Sequence, residues 1–68
     1  MKEEMVDALI LEAESKIKLA QLNIKVLLTN PVGVGDHPNI LETIQGQLDI
    51  ISQNKDRISA LMDIGNEE

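Results

Sequence analysis

Helix-breaking residues are concentrated in one short stretch of this chain. From Lys2 to Thr29 there is no glycine or proline, and good helix formers dominate. Then Asn30-Pro31-Val32-Gly33-Val34-Gly35-Asp36-His37 follows, with Pro38 directly behind it. A proline cannot extend the helical hydrogen-bond ladder and pushes the residue before it out of the α region. The pattern predicts one domain spanning residues 1–68, with a helix over 2–29, a loop over 30–37 and a second helix over 38–64. Pro38 suits a first helical turn, where a missing N–H needs no partner. Asp36 or His37 can cap that turn, and Asn39 with Glu42 fits a capping box two residues later. Gly65-Asn66 is the expected stop.

Two helices of similar length joined by a short loop fold back as an antiparallel hairpin, so the predicted class is all-α. The apolar spacing supports this. Val6, Ile10, Ala13, Ile17, Ala20, Ile24 and Leu27 recur at alternating steps of four and three. In the second helix Leu41, Ile44, Leu48, Ile51, Lys55, Ile58 and Met62 recur at three and four. Both are heptad seams of the coiled-coil type. With the loop centred between Gly33 and Val34, facing residues have numbers summing to about 67, which sets Ala20 against Leu48, Ile24 against Ile44 and Ile10 against Ile58. Lys55 interrupts the second seam. It either sets the register from within or snorkels from the seam edge toward Glu12 and Glu14.

A second stripe on the first helix, Ala8, Leu11, Leu19, Leu22 and Val26 with Ser15 in the gap, lies nearly opposite the first seam at about 100° per residue. One partner helix cannot cover both sides of a cylinder, and a helix apolar all round is normally buried. The expected outcome is a homo-oligomer, most simply a four-helix homodimer or else a higher assembly, with Leu11, Leu19, Leu22 and Val26 in the interface. The second helix has only a weaker secondary edge in Ile50, Leu61 and Ile64, so the first helix is expected to be central.

Composition points the same way. A 68-residue chain is near the lower limit for a self-sufficient core. With no cysteine it has neither disulfides nor thiolate metal sites, and one histidine builds no zinc or di-iron site, which leaves self-association. Phe, Tyr and Trp are all absent, which excludes base stacking and aromatic anchors. Twelve carboxylates against six basic side chains oppose the charge a phosphate-tracking surface needs, so no nucleic-acid partner is expected. No apolar run approaches the ~18 residues of a membrane span. The start, Met1-Lys2-Glu3-Glu4, lacks the apolar stretch of a secretion signal, and the expectation is a soluble cytoplasmic protein without a membrane partner.

Candidate chemistry is sparse. Gly33-Val34-Gly35-Asp36 superficially suggests a phosphate-cradling turn, but no Lys-Ser/Thr follows it and no strand precedes it. Glycines that reverse the chain, with Val32 and Val34 plugging the end of the seam, are the better reading. His37, between Asp36 and Pro38, has the chemistry of a base, proton sensor or ligand, yet no nucleophile or ligand cluster accompanies it, which favours capping or loop packing. Glu3, Glu4 and Asp7 share one pole of the hairpin with Asp63, Glu67 and Glu68. That pole can face a basic partner or mimic nucleic-acid phosphate, but a solubilising end is the plainer role. No Glu-x-x-His supports a di-metal bundle site. Catalytic, cofactor-binding and metal-ligating residues are not expected, and the chain does not read as an enzyme.

The stretch Asn30-Pro31-Val32-Gly33-Val34-Gly35-Asp36-His37-Pro38, followed by Ile40, Leu41 and Glu42 between amphipathic helices, resembles short proteins encoded by tailed viruses of marine cyanobacteria. The resemblance covers most of the chain and brings no activity or functional residue. It implies expression in a bacterial host cytoplasm. The expected function is that of a non-enzymatic, oligomeric helical-hairpin protein acting as an interaction module or small structural component. The alternative is a virus-encoded regulator that binds a host protein through the loop residues Gly33, Gly35, Asp36 and His37 or through the acidic pole; a nucleic-acid mimic ranks third. If Gly33 and Gly35 serve the chain reversal, Gly33→Val or Gly35→Val lowers the melting temperature through steric conflict, and His37→Gln leaves it nearly unchanged. A His37→Gln chain that keeps its stability but loses a binding partner overturns the capping role.

Overall fold

The computed structural model describes residues 2–29 and 39–66, which form two helices, α1 (Lys2–Thr29) and α2 (Ile40–Asn66). They pack against each other, and among the described residues there is no strand. The molecule is a rod, 52 × 15 × 13 Å, with a radius of gyration of 15.6 Å. A compact domain of the same length has roughly 11 Å. A helix of 28 residues is itself about 42 Å long, so the long dimension is essentially that of the helices.

The helix ends follow from local chemistry. Glu3 and Glu4 lie in the first turn of α1, where carboxylates favour the positive end of the dipole. At its other end the Thr29 hydroxyl turns back on its own helix, sharing its proton between the carbonyl oxygens of Lys25 (2.8 Å) and Val26 (3.3 Å). At the start of α2 the Asn39 carbonyl accepts from the Thr43 amide (2.9 Å) and the Thr43 hydroxyl (3.0 Å), which places Asn39 at the N-cap with Glu42 in the first turn. The helix thus begins two residues later than the expected position 38. It also runs two residues past the expected 64: Gly65 and Asn66 stay helical, and Gly65 does not adopt the left-handed conformation that a glycine stop uses. The expected loop over 30–37, including Gly33, Gly35, Asp36 and His37, lies outside the described residues, as do Pro38, Glu67 and Glu68.

The seam of α1 is the expected one. Val6, Ile10, Ala13, Ile17, Ala20, Ile24 and Leu27 are all buried or half-buried. The seam of α2 is Ile40, Ile44, Gln47, Ile51, Asn54, Ile58 and Leu61. This corrects the expected set. Ile44, Ile51 and Ile58 hold their places, while Leu41, Leu48, Lys55 and Met62 are exposed and the residues just before them face α1 instead. The difference is a rotation of α2 by roughly 60° about its own axis, reckoned at ~100° per residue. Ala20 therefore does not pack on Leu48; it lines a groove with Gln47 and Asn54.

The rotation has a physical reason. With Lys55 in the seam, an ammonium would sit against Ala13 with the desolvation that implies. With Asn54 there, the polar group is a neutral amide that can be satisfied on the spot. Its Nδ2 donates to the Ile50 carbonyl (2.7 Å) and its Oδ1 accepts from Arg57 Nη1 (3.5 Å). Asn54 is 2% exposed, and among the described residues the only comparably buried hydrophobic ones are Ala13 at 3% and Ala20 at 2%. Small side chains on α1 leave room for the amide, while every isoleucine of the two seams keeps part of its surface open.

Two substitutions test this packing in opposite directions. Ala13→Leu inserts three heavy atoms into the tightest part of the seam and is expected to cost about 1–3 kcal/mol. Gly46 lies in the middle of α2 with nothing within 4 Å of where a Cβ would stand. Gly46→Ala is therefore expected to stabilise by about 0.5–1 kcal/mol. Thermal melts followed by circular dichroism read both; a destabilised Gly46→Ala would show that the glycine has a role the packing does not reveal.

Candidate protein-interaction face

With α2 covering one side of α1, the opposite side of α1 is left bare. Leu11 is 65% exposed, Leu19 61%, Leu22 49% and Val26 61%. Ala8 and Ser15, which complete the row, are exposed as well. The stripe's members are all exposed on α1, and none contributes to the hairpin seam. The stripe lies about 170° around α1 from the seam at ~100° per residue, so folding back a second helix cannot reach it.

Beside the stripe, between the two helices, runs a groove in two stretches. The first, about 410 Å³, is mixed: Lys16, Asn23, Gln47, Gln53 and Arg57 line it together with Leu19, Ala20 and Ile50. Asn23 Nδ2 donates to Gln47 Oε1 across it (3.1 Å), a direct polar tie between α1 and α2. The two residue numbers sum to 70, three more than the register expected from the loop centre. The second stretch, about 360 Å³, is mostly apolar, with Leu9, Ala13, Ala60, Leu61 and Ile64 among its walls. Asn54 and Arg57 belong to both stretches and mark the point where they meet. The edge of Ile50, Leu61 and Ile64 expected on α2 opens onto this groove.

The polar layer of Asn54, Gln47 and Asn23 was not recognised from spacing alone. Its signal is present: Asn23, Gln47 and Asn54 are amides at heptad-compatible spacing, but Leu48 and Lys55 beside them gave the competing phase a more apolar appearance. The buried side-chain nitrogens and oxygens among the described residues all have partners, so the layer is complete within one hairpin.

Other chemistry expected or excluded from sequence can be placed only in part. Glu3, Glu4, Asp7 and Asp63 lie on exposed positions of α1 and α2, whereas Glu67 and Glu68 of the acidic pole fall outside the described residues. Among the described residues no group of three or more His, Cys, Asp or Glu is close enough to hold a metal ion. No described helix is long and apolar enough to cross a membrane. Comparisons with protein families, with curated proteins and with solved structures find no match to this chain.

Both hydrogen bonds of Asn54 stay within α2, so its level along α1 is set by the fit of a small side chain beside the alanines of α1 and not by a bond across the seam. Asn54→Leu is expected to keep or raise the melting temperature and to permit sliding of α2 along α1, visible as extra or broadened amide resonances. A single sharp set of resonances with a lowered melting temperature would show that Asn54 stabilises the seam instead.

Proposed function

We propose that the chain is a non-enzymatic helical-hairpin module that acts through association, as a homo-oligomer with α1 at its centre and α2 toward the outside. The observation that carries this reading is the exposed row of Leu11, Leu19, Leu22 and Val26 opposite the seam. Covering a large aliphatic side chain contributes roughly 1.5–3 kcal/mol when burial is complete, and about half of each of these side chains is still open to be covered. The hairpin has a matching need, because two alanines and one asparagine are its only deeply buried described residues. Such a face is suited to binding another apolar surface; it offers no group for proton or phosphoryl transfer. The role is that of an interaction module or small structural component, proposed on the viral resemblance to act in a bacterial host cytoplasm.

The test separates the two faces of α1. Leu22→Lys is expected to shift the mass measured by light scattering toward monomer across a concentration series, with helicity partly retained and stability less dependent on concentration. Ile17→Lys puts an ammonium into the seam and is expected to unfold the chain. A wild type that remains a folded monomer throughout would defeat self-association. The outer stripe would then be a docking face for a different protein, and regulation of a host partner becomes the leading function.

A further inference from the structure

The charges of α1 are segregated along its length. Residues 2–14 carry Glu3, Glu4, Asp7, Glu12 and Glu14 against one lysine, Lys2; residues 15–29 carry Lys16, Lys18 and Lys25 and no carboxylate. Four of these charges, Asp7, Glu14, Lys18 and Lys25, fall on one edge of the outer stripe, at steps of seven, four and seven. All four are exposed, and none has an ion-pair partner within the hairpin among the described residues. The edge therefore reads acid, acid, base, base from the N-terminal end, a pattern that becomes its own complement when reversed.

We propose that the occupant of the outer face of α1 is α1 of a second copy, running antiparallel about a two-fold axis near residues 16 and 17. The inference rests on the self-association reading above and adds its orientation and register. Facing residues then have numbers summing to about 33. Leu11 meets the partner's Leu22, Ser15 meets the partner's Leu19, and Ala8 meets the partner's Val26, so two small residues stand opposite two large ones. In antiparallel pairs like edges face each other. The same register sets Asp7 beside the partner's Lys25 and Glu14 beside the partner's Lys18, and the two-fold axis repeats both pairs. A parallel pairing brings acidic half against acidic half and lysine against lysine, which the chain's net charge of −6 makes worse. Because stripe and seam are on opposite sides of α1, the four helices lie in a row, with the two α1 helices inside and α2 on each flank.

The chain has no cysteine, so introduced ones report alone. Full-length Leu11→Cys and Leu22→Cys variants are mixed, oxidised and resolved by mass spectrometry. The expected product is the mixed disulfide, several-fold over either symmetric one. Symmetric disulfides in excess would overturn the antiparallel orientation and leave self-association standing; a dimeric wild type whose variants do not cross-link at all would overturn the choice of face. A wild type that is monomeric by mass at every concentration removes both this inference and the reading beneath it. A second arm avoids the apolar stripe altogether. Asp7→Lys/Glu14→Lys and Lys18→Glu/Lys25→Glu each make the edge uniform in sign, and each alone is expected to self-associate roughly 10- to 100-fold more weakly. An equimolar mixture is expected to recover association as a heterodimer. Recovery absent from the mixture, with both variants still helical, would overturn the proposed charge register.

Discussion

The burial of Asn54 together with Ala13 and Ala20 is the feature on which the hairpin depends. Elsewhere along the seam, branched aliphatic side chains meet at half-coverage, and a pair of helices held only by such contacts can slide or roll at little cost. At the two alanine levels, two turns apart, the α1 side chains are small, and water is shut out from an amide that must then find its partners within its own helix. It finds them in the Ile50 carbonyl and the Arg57 guanidinium. The Asn23–Gln47 hydrogen bond, about two turns away, is the polar tie that crosses from α1 to α2. The rotation of α2, and with it the identity of every residue left facing outward, is decided here.

How far the fold was legible from sequence differs between the helices. In α1 one heptad set is made of aliphatic residues and alanine throughout, from Val6 to Leu27, and no neighbouring set competes for the same side. That seam was readable residue by residue. In α2 two sets share Ile44, Ile51 and Ile58 and differ by one position elsewhere. Leu41, Leu48 and Met62 make the first more apolar, but it carries Lys55; the second offers Ile40 and Leu61 with Gln47 and Asn54. Counting apolar residues favours the first. The cost of desolvating a charge, set against the ease with which an amide is satisfied, favours the second. Hydropathy alone does not register that difference.

The outer stripe of α1 was legible for a simpler reason. Its position follows from helix periodicity once the seam is known, and nothing in the fold of a lone hairpin can change it. The absence of aromatic side chains also has its effect here. Without a large ring to fill space, the hairpin encloses little volume, and apolar surface that a bulkier core would have absorbed is left on the outside. The incomplete core and the bare stripe are two aspects of one shortage.

The lengthwise separation of charge on α1 also bears on the order of events in time. Glu3 and Glu4 in its first turn run with the helix dipole, lowering the energy of α1 before it touches anything, while its lysines stop short of the last turn. Its interior has no glycine. By contrast α2 carries Gly46 in its interior and Asp63 near its C-terminal end, both of which weaken an isolated helix. These features predict that α1 becomes helical first as the chain collapses and that α2 zippers onto it. A defect in α1 is then felt early, as slower folding, whereas a comparable defect in α2 is felt late, as faster unfolding.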